Sequence, residues 1–110
     1  MKIRYKNSGT YPSWGLDGTM LTIGGMLHLN LPALAKDSPA HYVVSADPEG
    51  RLSLGNGWRY AAELDLPAKQ YVIEKIGYTD DYGYPALRKV ALPYTAEDAV
   101  LTLWAKKEER

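Results

Sequence analysis

The chain has 110 residues with 13 basic and 13 acidic side chains and no formal net charge, so it lacks the basic excess that nucleic-acid phosphates demand. It has no cysteine, which excludes disulfides and thiolate metal sites. The start, MKIRYKNSG, is charged with no apolar stretch behind it, and no apolar run is longer than a few residues. The expectation is a cytoplasmic protein with no signal peptide and no transmembrane segment.

Lys2–Lys6 alternates, with Ile3 and Tyr5 on one side and Lys2, Arg4 and Lys6 on the other. That is the pattern of a half-buried strand whose basic side is the solvated face of a sheet edge. Asn7 to Gly18 is rich in Gly, Ser, Pro and Asn and reads as an irregular connection, folded back through Tyr11, Trp14 and Leu16. In Thr19–Leu31 the aliphatics Leu21, Ile23, Leu27, Leu29 and Leu31 are all odd-numbered. A two-residue turn at Gly24-Gly25 would split them between faces, so the pattern predicts one long strand bent at the glycines. Leu31–Ala40, with Pro32 and Pro39, reads as a loop with a helical turn.

Ala40–Ala46 is the next predicted strand, followed by Asp47-Pro48-Glu49-Gly50, which suits a type I turn at each position. Arg51–Gly55 pairs back. Asn56-Gly57 is the strongest two-residue hairpin signal in the chain. Trp58–Leu66 follows, with Tyr60, Ala62, Leu64 and Leu66 in phase, so these three strands are expected to form a meander. Lys69–Tyr78 and Tyr84–Pro93 make a last hairpin whose imperfect alternation predicts either a bulge near Glu74-Lys75 or cover on both faces. Its tip is Asp80–Gly83. Thr95–Asp98 allows one turn of helix at most. Asp98–Ala105 is apolar on both sides, as suits a strand in the middle of a sheet or under a loop.

The sum is an all-β chain: a single antiparallel β-sandwich or partly closed barrel of seven or eight short strands over residues 1–105, with a frayed charged tail at 106–110. Ile3, Leu21, Ile23, Leu27, Leu64, Leu101 and Leu103 are its expected core.

Chemistry is sparse. His28 and His41 stand apart, without the clustered ligands of a metal site. Ser38, His41 and Asp47 make a triad only on paper, with no nucleophile-elbow signature. The glycine-rich stretches lack the lysine and following helix of a phosphate loop. Asp80-Asp81 lacks the alternating spacing of a calcium loop. The expectation is a protein that is not an enzyme and carries no cofactor.

Every aromatic ring has a polar handle: nine tyrosines and three tryptophans, with no phenylalanine. Such rings suit contact surfaces. Tyr5, Tyr42, Trp58, Tyr60 and Trp104 sit in strand phase and are expected at the core or its edge. Tyr78, Asp80, Asp81, Tyr82 and Tyr84 at the last hairpin's tip, with Trp14, form the candidate contact surface, and Tyr82 occupies the apex. Two functions suit these features. The first is an interaction or assembly module that self-associates or binds a protein partner, for example a structural component of a phage or prophage virion. The alternative is a carbohydrate-binding module that stacks sugars on Trp14, Trp58 or the tyrosines.

Overall fold

The computed structural model describes residues 1–79 and 82–106. Among them are ten strands and one turn of helix. In chain order these are β1 (Lys2–Tyr5), β2 (Trp14–Asp17), β3 (Met20–Ile23), β4 (Leu27–Asn30), α1 (Leu31–Leu34), β5 (Ala40–Ala46), β6 (Leu52–Leu54), β7 (Arg59–Leu66), β8 (Tyr71–Thr79), β9 (Pro85–Ala91) and β10 (Val100–Leu103). The strands form three sheets: a five-stranded one ordered β1-β10-β7-β5-β6, a three-stranded one ordered β2-β3-β4, and the ribbon β8-β9. The all-β expectation holds, and among the described residues no sheet closes into a barrel. The fold is not purely antiparallel, because β1 runs parallel to β10. Nearly the whole chain separates these two strands, so no short connection dictates their direction.

The first three-stranded unit corrects two expectations. Trp14–Asp17 is a strand, paired to β3 through Trp14↔Ile23 and Leu16↔Leu21, although glycine and proline around it hide its pattern. At Gly24-Gly25 the chain does reverse, because the loop holds three residues. Ile23 pairs with Leu27 and Leu21 with Leu29, and an odd loop length preserves the parity of all five aliphatics. Gly24 and Gly25 take φ of 63° and 68°, left-handed values that glycine adopts at little steric cost. At the end of β4, Asn30 caps α1 by accepting a hydrogen bond from the Ala33 amide, and Pro32 lies in the first turn, where its missing N–H costs nothing.

The expected meander does not form. β6 pairs only with β5, and β7 pairs with the other edge of β5 and with β10. Residues 55–58 therefore cross over β5 instead of turning tightly. Gly55, at φ 112°, has the positive φ, and Asn56 and Gly57 do not. The Asp47–Gly50 turn forms as expected: the Gly50 amide donates to the Asp47 carbonyl at 2.9 Å, and Asp47 Oδ1 accepts from the amides of Glu49 and Arg51.

One core unites the two larger sheets. Leu21, Ile23 and Leu29 from one, with Leu31 of α1, meet Val44, Leu64, Leu66, Leu101 and Leu103 from the other. β10 lies inside its sheet, as its apolar faces require. Of the expected core residues, Leu21, Ile23, Leu64, Leu101 and Leu103 are buried, while Ile3 and Leu27 are half-buried at the margin. Tyr5 and Trp58 are corrections: they are 62% and 63% exposed. Tyr60 is another. Val44 pairs with Ala62 but Ser45 pairs with Tyr60, so Ala61 is an extra residue in β7. This bulge moves Tyr60 to the face opposite Ala62, Leu64 and Leu66.

The ribbon stands away from this core. Among residues 71–77 and 86–91 of its two strands none is buried, and none belongs to the core cluster. The molecule measures 74 × 21 × 21 Å, with a Cα radius of gyration of 19.2 Å. A compact chain of this length would have about 13 Å. The ribbon is an arm.

Candidate functional site

Two surfaces concentrate exposed rings: the arm, and a groove at the opposite end of the body.

The arm follows β7. Its base is tied to the segment after α1, where the Lys69 amide donates to the Lys36 carbonyl at 2.8 Å and the Tyr71 hydroxyl donates to Asp37 Oδ1 at 2.5 Å. That bond to a carboxylate, aided by partial desolvation, raises the Tyr71 pKa above its ordinary value. The Tyr94 hydroxyl donates to the Pro67 carbonyl and joins the two limbs that lead into the arm. Burial raises the Tyr94 pKa also.

Opposed residues of an antiparallel pair share a face. Tyr71↔Ala91, Ile73↔Lys89 and Lys75↔Leu87 therefore make one face of the arm, and Val72↔Val90 with Glu74↔Arg88 the other. Ile73 is 64% exposed and Leu87 58%. On the first face Lys89 Nζ lies 4.1 Å from the centre of the Tyr71 ring. On the second, Arg88 bonds Glu74 at 3.1 Å. The register shifts between Lys75 and Thr79, so the broken alternation reflects a bulge, a little beyond the expected Glu74-Lys75, and not cover on both faces.

The tip extends past the Thr79↔Pro85 pair. Gly83 takes φ 79°, as expected of a turn residue. Tyr82 is 87% exposed, and Tyr84 is also exposed. Tyr78 lies on β8. Asp80 and Asp81, the other tip residues of the candidate surface, lie outside the described residues. Trp14 is exposed, but on β2 of a different sheet, so the structure does not gather it with the tip tyrosines.

The groove was not anticipated as a unit. It is an open concavity of about 1170 Å³ at the start of β7. The Asp47–Gly50 turn forms one rim, Trp58, Arg59 and Tyr60 a wall, and Trp104 with Lys106 the other side. Trp104 and Tyr60 meet edge to face at 5.5 Å, Trp104 Nε1 donates to Glu63 at 2.8 Å, and Lys6 Nζ lies 5.6 Å from the Trp104 ring. The floor is held by Asn7, which accepts from the Ala105 amide at 2.7 Å and donates to its carbonyl. Trp104, expected at the core or its edge, is half-buried and shares parity with Val100 and Thr102, opposite buried Leu101 and Leu103. The place of Tyr60 was not legible, because alanine at both 61 and 62 satisfies either phase and conceals the bulge.

The histidines make strand contacts. His28 Nδ1 lies 2.9 Å from Thr22 Oγ1 across β3 and β4. His41 bridges Asp65 at 2.6 Å and Glu63 at 3.5 Å on β7, not the Asp47 of the paper triad. Among the described residues, no group of three His, Asp or Glu side chains is arranged to hold a metal ion, and no helix is long and apolar enough to cross a membrane. No protein-family model matches the chain, and no curated protein or solved structure matches it.

Proposed function

We propose that this chain is a non-catalytic interaction and assembly module, with a two-layer β body that carries its contact element, the β8–β9 arm. One observation carries the reading: the arm's apolar side chains have no core of their own. A lone two-stranded ribbon is marginal in water, and one bearing Ile73, Leu87 and Tyr82 in the open leaves apolar surface that contact with a partner would bury. Zero net charge favours such association, and a virion subunit is one setting for it.

The test is sedimentation velocity across a concentration series for the parent, Tyr82→Ala and Leu87→Glu, with thermal melts alongside. The parent is expected to form a defined oligomer. Both variants should weaken it while melting close to the parent, as exposed substitutions do, within about 0.5 kcal/mol. If both arm variants associate as the parent does, the arm is not the contact element.

The groove supports a second reading. Trp58, Tyr60 and Trp104 offer ring faces and edges beside Asp47, Glu49 and Arg59, a mixture suited to carbohydrate. A glycan array on parent and Trp58→Ala tests it: a hit lost in the variant supports carbohydrate binding, and no hit on the parent counts against it.

A further inference from the structure

We propose that the outer face of the five-stranded sheet is a self-complementary surface on which two copies of the chain pair about a two-fold axis. This contact is additional to the arm and does not rest on it. The core covers the inner face of that sheet through Leu64, Leu101 and Leu103. Side chains alternate along a strand, so the neighbours of these leucines point outward, and the register sets them in rows. Lys2, Val100, Asp65 and His41 make the first row, and Arg4, Thr102, Glu63 and Val43 the second. Lys2, Arg4, Asp65 and His41 are exposed, and Val43, Glu63, Val100 and Thr102 are half-buried. Lys6 and Trp104 continue the face, with the Lys6 ammonium 5.6 Å from the Trp104 ring.

Across the strands the charges fall in columns. The β1 column is cationic, with Lys2 and Arg4 and then Lys6. The β10 column, Val100 and Thr102, is neutral. The β7 column is anionic, with Asp65 and Glu63. Columns of opposite sign stand two strand spacings apart, roughly 10 Å. Among the described residues neither Lys2 nor Arg4 has an ion-pair partner, and the two carboxylates turn to His41 and, for Glu63, also to the Trp104 indole. A two-fold axis lying above β10 and running along it exchanges the two charged columns and keeps each row at its height. Lys2 of one copy then faces Asp65 of the other and Arg4 faces Glu63, each pair made twice, while Val100 and Thr102 meet their own copies at the centre. An axis running across the strands would instead set β1 on β1 and cation on cation, so the charges select the first arrangement. On β5, His41 and Val43 extend past the edge of the other copy, and Glu97 and Asp98 stand in the turn before β10, beyond the first row. The contact packs sheet on sheet, and being isologous it closes at a dimer.

The test is a charge swap read by sedimentation velocity, in full-length chains that all carry Leu87→Glu so that the arm is out of play. Leu87→Glu alone should reach a dimer as concentration rises. Adding Lys2→Glu, or adding Asp65→Lys, opposes like charges at two places and should weaken that dimer by on the order of tenfold or more. Both positions are exposed, and matching thermal melts confirm folding. An equimolar mixture of the two swap variants sets each introduced charge against its opposite and leaves one native Lys2–Asp65 pair, so it should dimerise as Leu87→Glu alone does. The face contact is overturned if Leu87→Glu stays monomeric at every concentration, if either swap variant by itself dimerises as well as Leu87→Glu, or if mixing restores nothing. The arm is judged by Leu87→Glu against the parent and the face by the swaps against Leu87→Glu, so either can fail while the other stands.

Discussion

Gly57 shows how one residue type serves two different demands. Beside Asn56 it predicts a tight turn, yet its φ is not left-handed. It is needed because the crossing chain lies against β5: a Cβ built there would sit 2.7 Å from Ser45 Cβ. Ser45 is itself buried and donates to the Gly55 carbonyl at 2.6 Å, so it has little room to yield. Gly57→Ala should therefore cost about 1–3 kcal/mol, the range for overpacking, while Asn56→Ala changes stability by less than about 0.5 kcal/mol. Urea denaturation of both variants checks this, and the reverse order would restore the tight turn. Tyr71 yields a pH prediction. Its raised pKa means that the anchoring bond to Asp37 is fully present below the ordinary phenol value of about 10 and is lost as pH rises through the higher folded value. Spectrophotometric titration in alkali should show late phenols, one of which disappears in Tyr71→Phe; an unchanged late fraction would mean that the bond does not persist in solution.

Among the elements, strand identity was more legible than strand partnership. β1, β5 and β10 follow their alternation or apolarity closely, and hydrophobic period is the direct signature of a half-buried strand. Neighbours are a different matter. β6 and β7 adjoin in sequence but flank β5 in space, and a three-residue strand such as β6 reads the same in either arrangement. The core strands and the arm should also differ in stability. Leu64→Ala and Leu103→Ala each empty a fully enclosed site, at a cost of roughly 2–5 kcal/mol; melts like the parent's would contradict the assigned core. By hydrogen exchange, amides of β8 and β9 should open well below the global unfolding free energy, whereas those of β7 and β10 exchange only near it. Equal protection in a monomeric sample would mean that the arm packs on the body.

At the scale of the whole molecule, the prediction is shape. Small-angle scattering from a monomeric sample, such as dilute Leu87→Glu, should give a radius of gyration near the elongated 19.2 Å and not the roughly 13 Å of a compact chain. A compact value would mean that the arm folds back. Composition, charge and hydrophobic period were enough to determine an all-β chain, its buried leucines, the Asp47–Gly50 turn and the last hairpin, because each depends on residues close in sequence or on a parity that local packing obeys. Tertiary structure alone decided the rest. The bulge at Ala61 is invisible between two alanines that tolerate either face, and it is set by pairing with β5. The groove joins Trp58 and Tyr60 to Trp104 across more than forty positions, a proximity created when β7 and β10 align. That the last hairpin is an arm and not a core layer follows from what fails to cover it, and its own alternation, apolar and charged on both faces, is compatible with either outcome.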